Sequence, residues 1–377
     1  MELAFRNARV VTRDEDFIGS VVVRDGLIAA VDRGPSAVGE DLEGDVLMPG
    51  VVDIHTDNLE RHFFPRPNID WNPVSAAVTH DAGCVSVGVT TIYDSLSVGS
   101  FNGAVSRGQD NLTRLAQGLL AARDAGMLKA QHHIHWRCET TADELEARLA
   151  PLADHPMAAM FSLMDHTPGQ RQYRNLEAFL DKWRAGGMSE EAVQQRLADS
   201  RERQARNAAA NRKLVAEVAH ARGAALVSHD DEDAAQIDEA ADLGATVAEF
   251  PVTVEAAERA RARGMIIVMG GPNLIRGGSY SGNVPAADLA NADLLDAFAS
   301  DYVPRSLIEC AFALAAPPFD WPLAEAVAVV TATAAAAAGL SDRGAIEPGL
   351  RADLLRVRPV ESLPVLRGVW AGGARVG

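Results

Sequence analysis

The apolar positions of this chain change period twice. In the first 34 residues they come as short alternating runs, Leu3 to Val11, Ser20 to Arg24 and Leu27 to Val31, with Arg24-Asp25-Gly26 placed as a hairpin turn. The C-terminal end repeats this material: Gly344-Ala-Ile-Glu-Pro-Gly349 as a turn, Ala352 to Val357 as a strand and Val365 to Val376 as a hairpin. Such meanders bury little by themselves, so the two ends, 1–49 and 340–377, are expected to pair into one small β-sandwich. Between them, in 50–339, strand-length apolar runs alternate with helical patterns, which predicts a parallel sheet with crossover helices. Eight such runs are present: Val51 to His55, Thr90 to Asp94, Gln131 to Arg137, Ala158 to Met164, Ala224 to His229, Thr246 to Phe250, Met265 to Met269 and Ala297 to Asp301. The predicted class is therefore α/β, a TIM-like (β/α)8 barrel with the sandwich as a satellite. The segment Leu176 to Arg222 is too long for one crossover and is expected to make an excursion over a barrel face, with Arg201 to Arg206 as a solvated helix surface. Alanine-rich Leu323 to Leu340, interrupted by Glu325, Thr331 and Thr333, predicts a buried helix rather than a membrane span.

Composition narrows the setting. The 377 residues suit one barrel with a small addition. Cys84, Cys138 and Cys310 are widely spaced with no CxxC pair, so neither a disulfide framework nor a zinc knuckle is indicated. Glu2, Arg6 and Arg9 break up the apolar residues at the start, unlike a signal peptide. A cytoplasmic protein is the expectation. A net charge of −17 opposes nucleic acid and anionic membranes as partners, leaving a small molecule, with a homo-oligomer allowed.

In a (β/α)8 barrel, functional side chains gather at the C-terminal strand ends. His55-Thr56-Asp57 closes the first run, and its i, i+2 spacing turns both side chains to one side of an extended chain. On the third run His133, His135, Arg137 and Glu139 share one face, and an apolar lumen tolerates such a set only with a partner. Glu139, at the strand end, is the ligand candidate, while His133 and His135 stay open between supporting the site and contacting substrate. His166, His229 and Asp301 follow the fourth, fifth and eighth runs. The predicted metal set is thus His55, Asp57, Glu139, His166, His229 and Asp301, holding one or two divalent ions, zinc first, with manganese or iron as alternatives. Asp301, with no second ligand beside it, is the expected catalytic proton acceptor. His62, His80, His132, His155 and His220 read as surface or packing residues. After the seventh run, Gly270-Gly-Pro-Asn273 and Arg276-Gly-Gly-Ser-Tyr-Ser-Gly-Asn283 match no nucleotide-binding fingerprint, but their Gly, Ser and Asn content suits an anion nest.

Met48-Pro-Gly-Val-Val-Asp-Ile-His-Thr-Asp57, together with Gly344 to Asp353, resembles the metal strand and returning terminal strand of the amidohydrolase superfamily. The resemblance spans nearly the whole chain and implies an amidohydrolase-type barrel. The blocks His55 to His62 with Pro65-Arg-Pro67, Gly271 to Val284 and Ser300-Asp-Tyr302 are similar to those of the superfamily's ribose triphosphate diphosphatases of phosphonate catabolism. That likeness implies a phosphorylated ribose substrate, carrying a 1-methylphosphonate, from which pyrophosphate is released. Three departures stand out. Asp57 replaces the second histidine of the usual H-x-H; no lysine ends a strand, so Glu139 would have to bridge the metals; and the two later histidines follow runs four and five rather than five and six. Phosphoryl transfer is mostly positioning and charge neutralisation. Arg61, Arg66, Arg137 and Arg276, with Asn273, Ser279, Tyr280 and Asn283, are the residues expected to meet the phosphates. Hydrolysis of a C–N bond in a cyclic amide or amino-purine, and a catalytically silent assembly subunit, are the competing readings.

Overall fold

The structure, a computed structural model, describes residues 2–66, 69–99, 109–279 and 281–377. Its centre is a ring of parallel strands in chain order: Val51–Thr56, Val89–Val98, Gln131–Glu139, Ala158–Met164, Ala225–His229, Val247–Glu249, Ile266–Gly270 and Ala297–Ala299, named below first to eighth. The ring closes at its C-terminal rim. Asp57 N–H donates to the Asp301 carbonyl at 2.8 Å, and Asp301 N–H donates to the His55 carbonyl at 2.9 Å. Each apolar run of the sequence has become one strand of a (β/α)8 barrel.

Alternation sorts the side chains into two layers. Ile92, Leu96, Ile134, Trp136, Phe161 and Ile267 face the surrounding helices in the largest core. Val52, Tyr93, Met160, Val227, Val247 and Val268 fill the lumen. Ala334, Ala335 and Ala337 join that lumen cluster, so an alanine helix forms the barrel floor. The continuous helix expected over Leu323 to Leu340 is two pieces, Leu323–Ala328 and Ala332–Ala337. They part at Val329-Val330-Thr331, a β-branched run that fits a helix poorly, and the Thr331 hydroxyl donates back to the Val327 carbonyl at 2.9 Å.

The excursion after the fourth strand is a pair of helices, Leu176–Ala185 and Glu190–Arg222. The longer one starts at a Ser189 cap with two glutamates in its first turn and stops at Gly223 in the left-handed conformation. Phe179, Leu180, Val193 and Leu197 give this pair a small core of its own. Asn211 and Asn207 tie the long helix to the carbonyls of Thr140 and Thr141, and Arg212 pairs with Asp165 at 3.1 Å, so it is fastened to the loops after the third and fourth strands.

The chain ends meet through hydrogen bonds in one continuous sheet, which curls so that its inner faces pack on each other as the expected small β-sandwich. Val46–Pro49 lies in its middle, parallel to Glu2–Val11 on one side and antiparallel to Leu354–Val360 on the other. The Asp25-Gly26 turn has positive φ at both residues, 51° and 82°, as a tight right-twisted hairpin requires. Phe5 and Trp370 meet edge to face at 4.8 Å in a separate core with Val21, Ile28, Leu47 and Leu354.

At the seam between the two ends, Asp45 is 4% exposed and accepts from both Arg356 and Arg358 at 2.6 Å. Burial pushes its carboxyl upward, but the two guanidiniums overcome this and hold it below the usual carboxylate range. A depressed folded-state pKa contributes stability above the unfolded pKa, and that contribution is lost as pH falls through the folded value. Asp45→Ala should therefore cost about 1–3 kcal/mol at neutral pH. In urea titrations the gap to wild type should narrow near about pH 3, where carboxylates protonate. An equal gap at both pH values would place the effect outside this ion cluster.

Candidate metal centre

The first strand delivers His55, 1% exposed, into the top of the lumen. Its Nδ1 lies 2.9 Å from Glu249 Oε2 and its Nε2 3.5 Å from Asp57 Oδ1. The rings of His135 and His229 are 5.1 and 5.6 Å from it, centre to centre. His135 is oriented by a 3.1 Å contact between Nδ1 and the Ile54 carbonyl, and His229 by a 2.8 Å contact between Nδ1 and Asp230. In each ring this leaves Nε2 for the centre, the arrangement typical of histidine ligands. One ligand atom each from His55, His135 and Glu249 fall within 4.8 Å of one another, and so do those of His55, Asp57 and Asp301.

Several buried atoms here lack a hydrogen-bond partner: His135 Nε2, His229 Nε2 and both oxygens of Glu249. An uncompensated buried carboxylate costs several kcal/mol. Two triples that share His55, with His229 Nε2 3.6 Å from Glu249 Oε2, form a donor set suited to zinc, manganese or iron. These residues therefore fit a divalent ion. Their charges agree. Burial would raise the Glu249 carboxyl, yet His55 and its neighbours hold it at about 2. Burial, helped by the nearby charges of His55 and Arg137, drives His135 down to about 3, so it is a neutral donor. Burial opposes a proton on His55, but Glu249 and Asp57 raise it to about 10, so a proton takes the place of a cation there. Asp301 is pushed up to about 6, first by burial and then by the charge of Asp57.

Of the residues expected as ligands, His55, Asp57, His229 and Asp301 converge. Glu139 and His166 pair with each other instead, Oε2 to Nδ1 at 2.6 Å, with the Thr141 hydroxyl on the other Glu139 oxygen. Neither joins a set of three mutually close ligand atoms among the described residues. Arg137 grips Asp57 at 2.6 Å and is 11% exposed, so it holds that carboxylate within the rim. Sequence reasoning missed Glu249 and left His135 open. The signal for Glu249 was present, since it is the one carboxylate ending the sixth apolar run, and that run had been assigned no ligand.

Asp230, Phe250 and Asp301, at the ends of the fifth, sixth and eighth strands, all have φ between 55° and 58°. Left-handed backbone outside glycine costs of order 1–3 kcal/mol and gathers at functional sites. Phe250 sits against the rings of His55 and His229, at 5.4 and 5.2 Å. Beside the centre opens a cavity of about 550 Å3 lined by Asp301, Phe250, Arg276, Ser279 and Tyr302, among others. Arg276 donates to the Tyr302 hydroxyl at 3.4 Å, and Arg61 lies over the Tyr302 ring at 5.8 Å. Asn273 and Asn283 also line the cavity, but their amides bond backbone: Asn273 with Val284 and Ala286, Asn283 with Gln172. Arg66 is exposed and does not line it; Tyr280 lies outside the described residues.

A model of the amidohydrolase family matches residues 187–376. Over 99% of its length the chain is 38% identical to the alpha-D-ribose 1-methylphosphonate 5-triphosphate diphosphatase of Escherichia coli (strain K12), all of which is covered. The chain belongs to the amidohydrolase family. Among solved amidohydrolase-type structures it superposes on the N-acetyl-D-glucosamine-6-phosphate deacetylase of Mycobacterium smegmatis, with a TM-score of 0.65, 16% identity and full coverage of both chains. The N-isopropylammelide isopropylaminohydrolase of Burkholderia multivorans gives a TM-score of 0.63 at 18% identity, covering 100% of this chain and 98% of that one. At those identities the likeness speaks for the fold. As an amidohydrolase this chain is a hydrolase, and no helix among the described residues is long and apolar enough to cross a membrane.

Proposed function

We propose that this amidohydrolase cleaves a phosphoric anhydride bond of alpha-D-ribose 1-methylphosphonate 5-triphosphate, releasing pyrophosphate and leaving 5-phospho-alpha-D-ribose 1-methylphosphonate. The observation that carries the reading is the end-to-end relationship to a diphosphatase of that substrate. An arginine-bearing cavity that shares Asp301 with the metal centre supports it.

His55, Asp57, His135, His229 and Glu249 would hold one or two divalent ions, zinc by donor preference, with manganese or iron also suited. Such an ion supplies a Lewis acid and an acidified water at neutral pH. Asp301, reaching both the ligand set and the cavity, takes the proton of the attacking water at its carboxylate. Arg137 keeps Asp57 aimed. Arg276, Arg61 and the Ser279 hydroxyl, with backbone N–H groups of the loop after the seventh strand, neutralise and orient the phosphates.

Purified protein with a divalent metal should release pyrophosphate from the ribose triphosphate and no ammonia from cyclic amides. Ammonia release without pyrophosphate would overturn the proposal. Arg276→Ala should raise KM for the triphosphate by about 10- to 100-fold, the worth of a hydrogen bond to a charged group, and by less for a shorter phosphate ester. Equal effects on both would place Arg276 outside the phosphate site.

A further inference from the structure

A second cluster of metal-competent side chains lies away from the rim, between helix Pro73–Ser86 and the outer face of the second and third strands. His80 comes from the helix, Asp94 from the second strand and His132 from the third, and they are 1%, 0% and 3% exposed. One ligand atom from each falls within 4.8 Å of the other two. The even-numbered strand positions that carry Asp94 and His132 otherwise hold Ile92, Leu96, Ile134 and Trp136, all in the apolar layer. Charged groups in such a layer need a reason to be there.

The contacts around the cluster are those of ligands held ready. Asp94 Oδ2 lies 2.7 Å from His132 Nδ1. Its other oxygen lies 2.8 Å from His80 Nε2 but off the line of a hydrogen bond, and has no hydrogen-bond partner. On the far side of the His132 ring, Nε2 faces Asp81 Oδ1 at 3.2 Å, and Asp81 is itself fixed by the backbone N–H groups of Lys129 and Ala130. A carboxylate orienting one ring nitrogen so that the other addresses the centre is the usual support of a metal-binding histidine. Cys84, one helical turn after His80, brings its sulfur to 3.7 Å from that ring. On the outer side, His132, Lys129 and Ala130 border a surface depression.

We propose that His80 Nε2, Asp94 and His132 Nδ1 form a second divalent-cation site, of zinc type and structural in role. Two imidazoles and a carboxylate are nitrogen and oxygen donors of the kind zinc takes, and three protein ligands leave a fourth position for water. A divalent charge balances Asp94 and Asp81 while both histidines stay neutral. The ion would pin helix Pro73–Ser86 to two barrel strands from outside the lumen. No residue of the site belongs to the rim centre, so it stands or falls apart from the proposed reaction.

The direct test is an anomalous-difference map at the zinc edge from crystals of zinc-loaded wild-type protein. A peak enclosed by His80, Asp94 and His132 is the expected result, in addition to density at the rim. Density at the rim alone would overturn the proposal and leave this cluster as a network joined by protons. A second measurement is zinc per chain after exhaustive dialysis. The His229→Gln/Glu249→Gln protein should keep about one tightly held ion, as a buried site of three protein ligands would. Adding Asp94→Asn should remove it. A rim-disabled protein that retains no zinc would equally refute the site.

Discussion

Asp301→Asn is expected to lower kcat by about two to four orders of magnitude while metal content stays near that of wild type. The exchange is isosteric, and asparagine tolerates the left-handed backbone that Asp301 adopts, φ 56°. The two backbone hydrogen bonds with which residue 301 closes the barrel involve no side-chain atom, so the rim keeps its shape. What disappears is a carboxylate able to accept a proton beside the ligand set. Pyrophosphate release and elemental analysis on the same sample check the result. Near-normal turnover would remove Asp301 from the chemistry, and a loss of metal that parallels the loss of turnover would make it a ligand first.

Glu249→Gln should weaken metal binding by more than about 100-fold, since even changes to groups behind the ligands cost 10- to 100-fold. Glu249 is fully buried, its two oxygens have no hydrogen-bond partner, and its nearest neighbours are the imidazoles of His55 and His229. The glutamine keeps the volume and drops the charge. In the metal-free protein the glutamine leaves His55 without the carboxylate that holds its proton, and breaking one side of a buried charge pair costs about 3–5 kcal/mol, so the unfolding midpoint should fall as affinity collapses. Competition against a chelator of known strength measures the first quantity and thermal unfolding of the apo protein the second. Unchanged affinity would return the sixth strand to a scaffold role.

The strands were legible because each is a compact apolar run bounded by turn residues, and the closed parallel sheet follows from their regular alternation with helices. His55 and Asp57 were legible for the same reason, as polar residues placed where an apolar strand ends. The third strand shows the limit of that logic. His133, His135, Arg137 and Glu139 share one face, and their spacing says nothing about which of them stands level with His55. The stagger of neighbouring strands decides it: His135 reaches the centre, while Glu139, further along, meets His166 instead. His80 and His132 were harder still, because one sits on a helix and the other on the outer strand face, where a lone polar residue ordinarily marks surface or packing.

By itself, then, the sequence determined the barrel, the pairing of the two chain ends, the first strand with His55 and Asp57 at its end and the loop that borders the cavity, because hydrophobic period and turn chemistry are local properties. Only the tertiary structure decided which carboxylates and imidazoles share a centre. Period reports the face a side chain takes, whereas its height along the barrel axis, and the partner arriving from a strand more than a hundred residues away, depend on how the sheet is sheared when it closes.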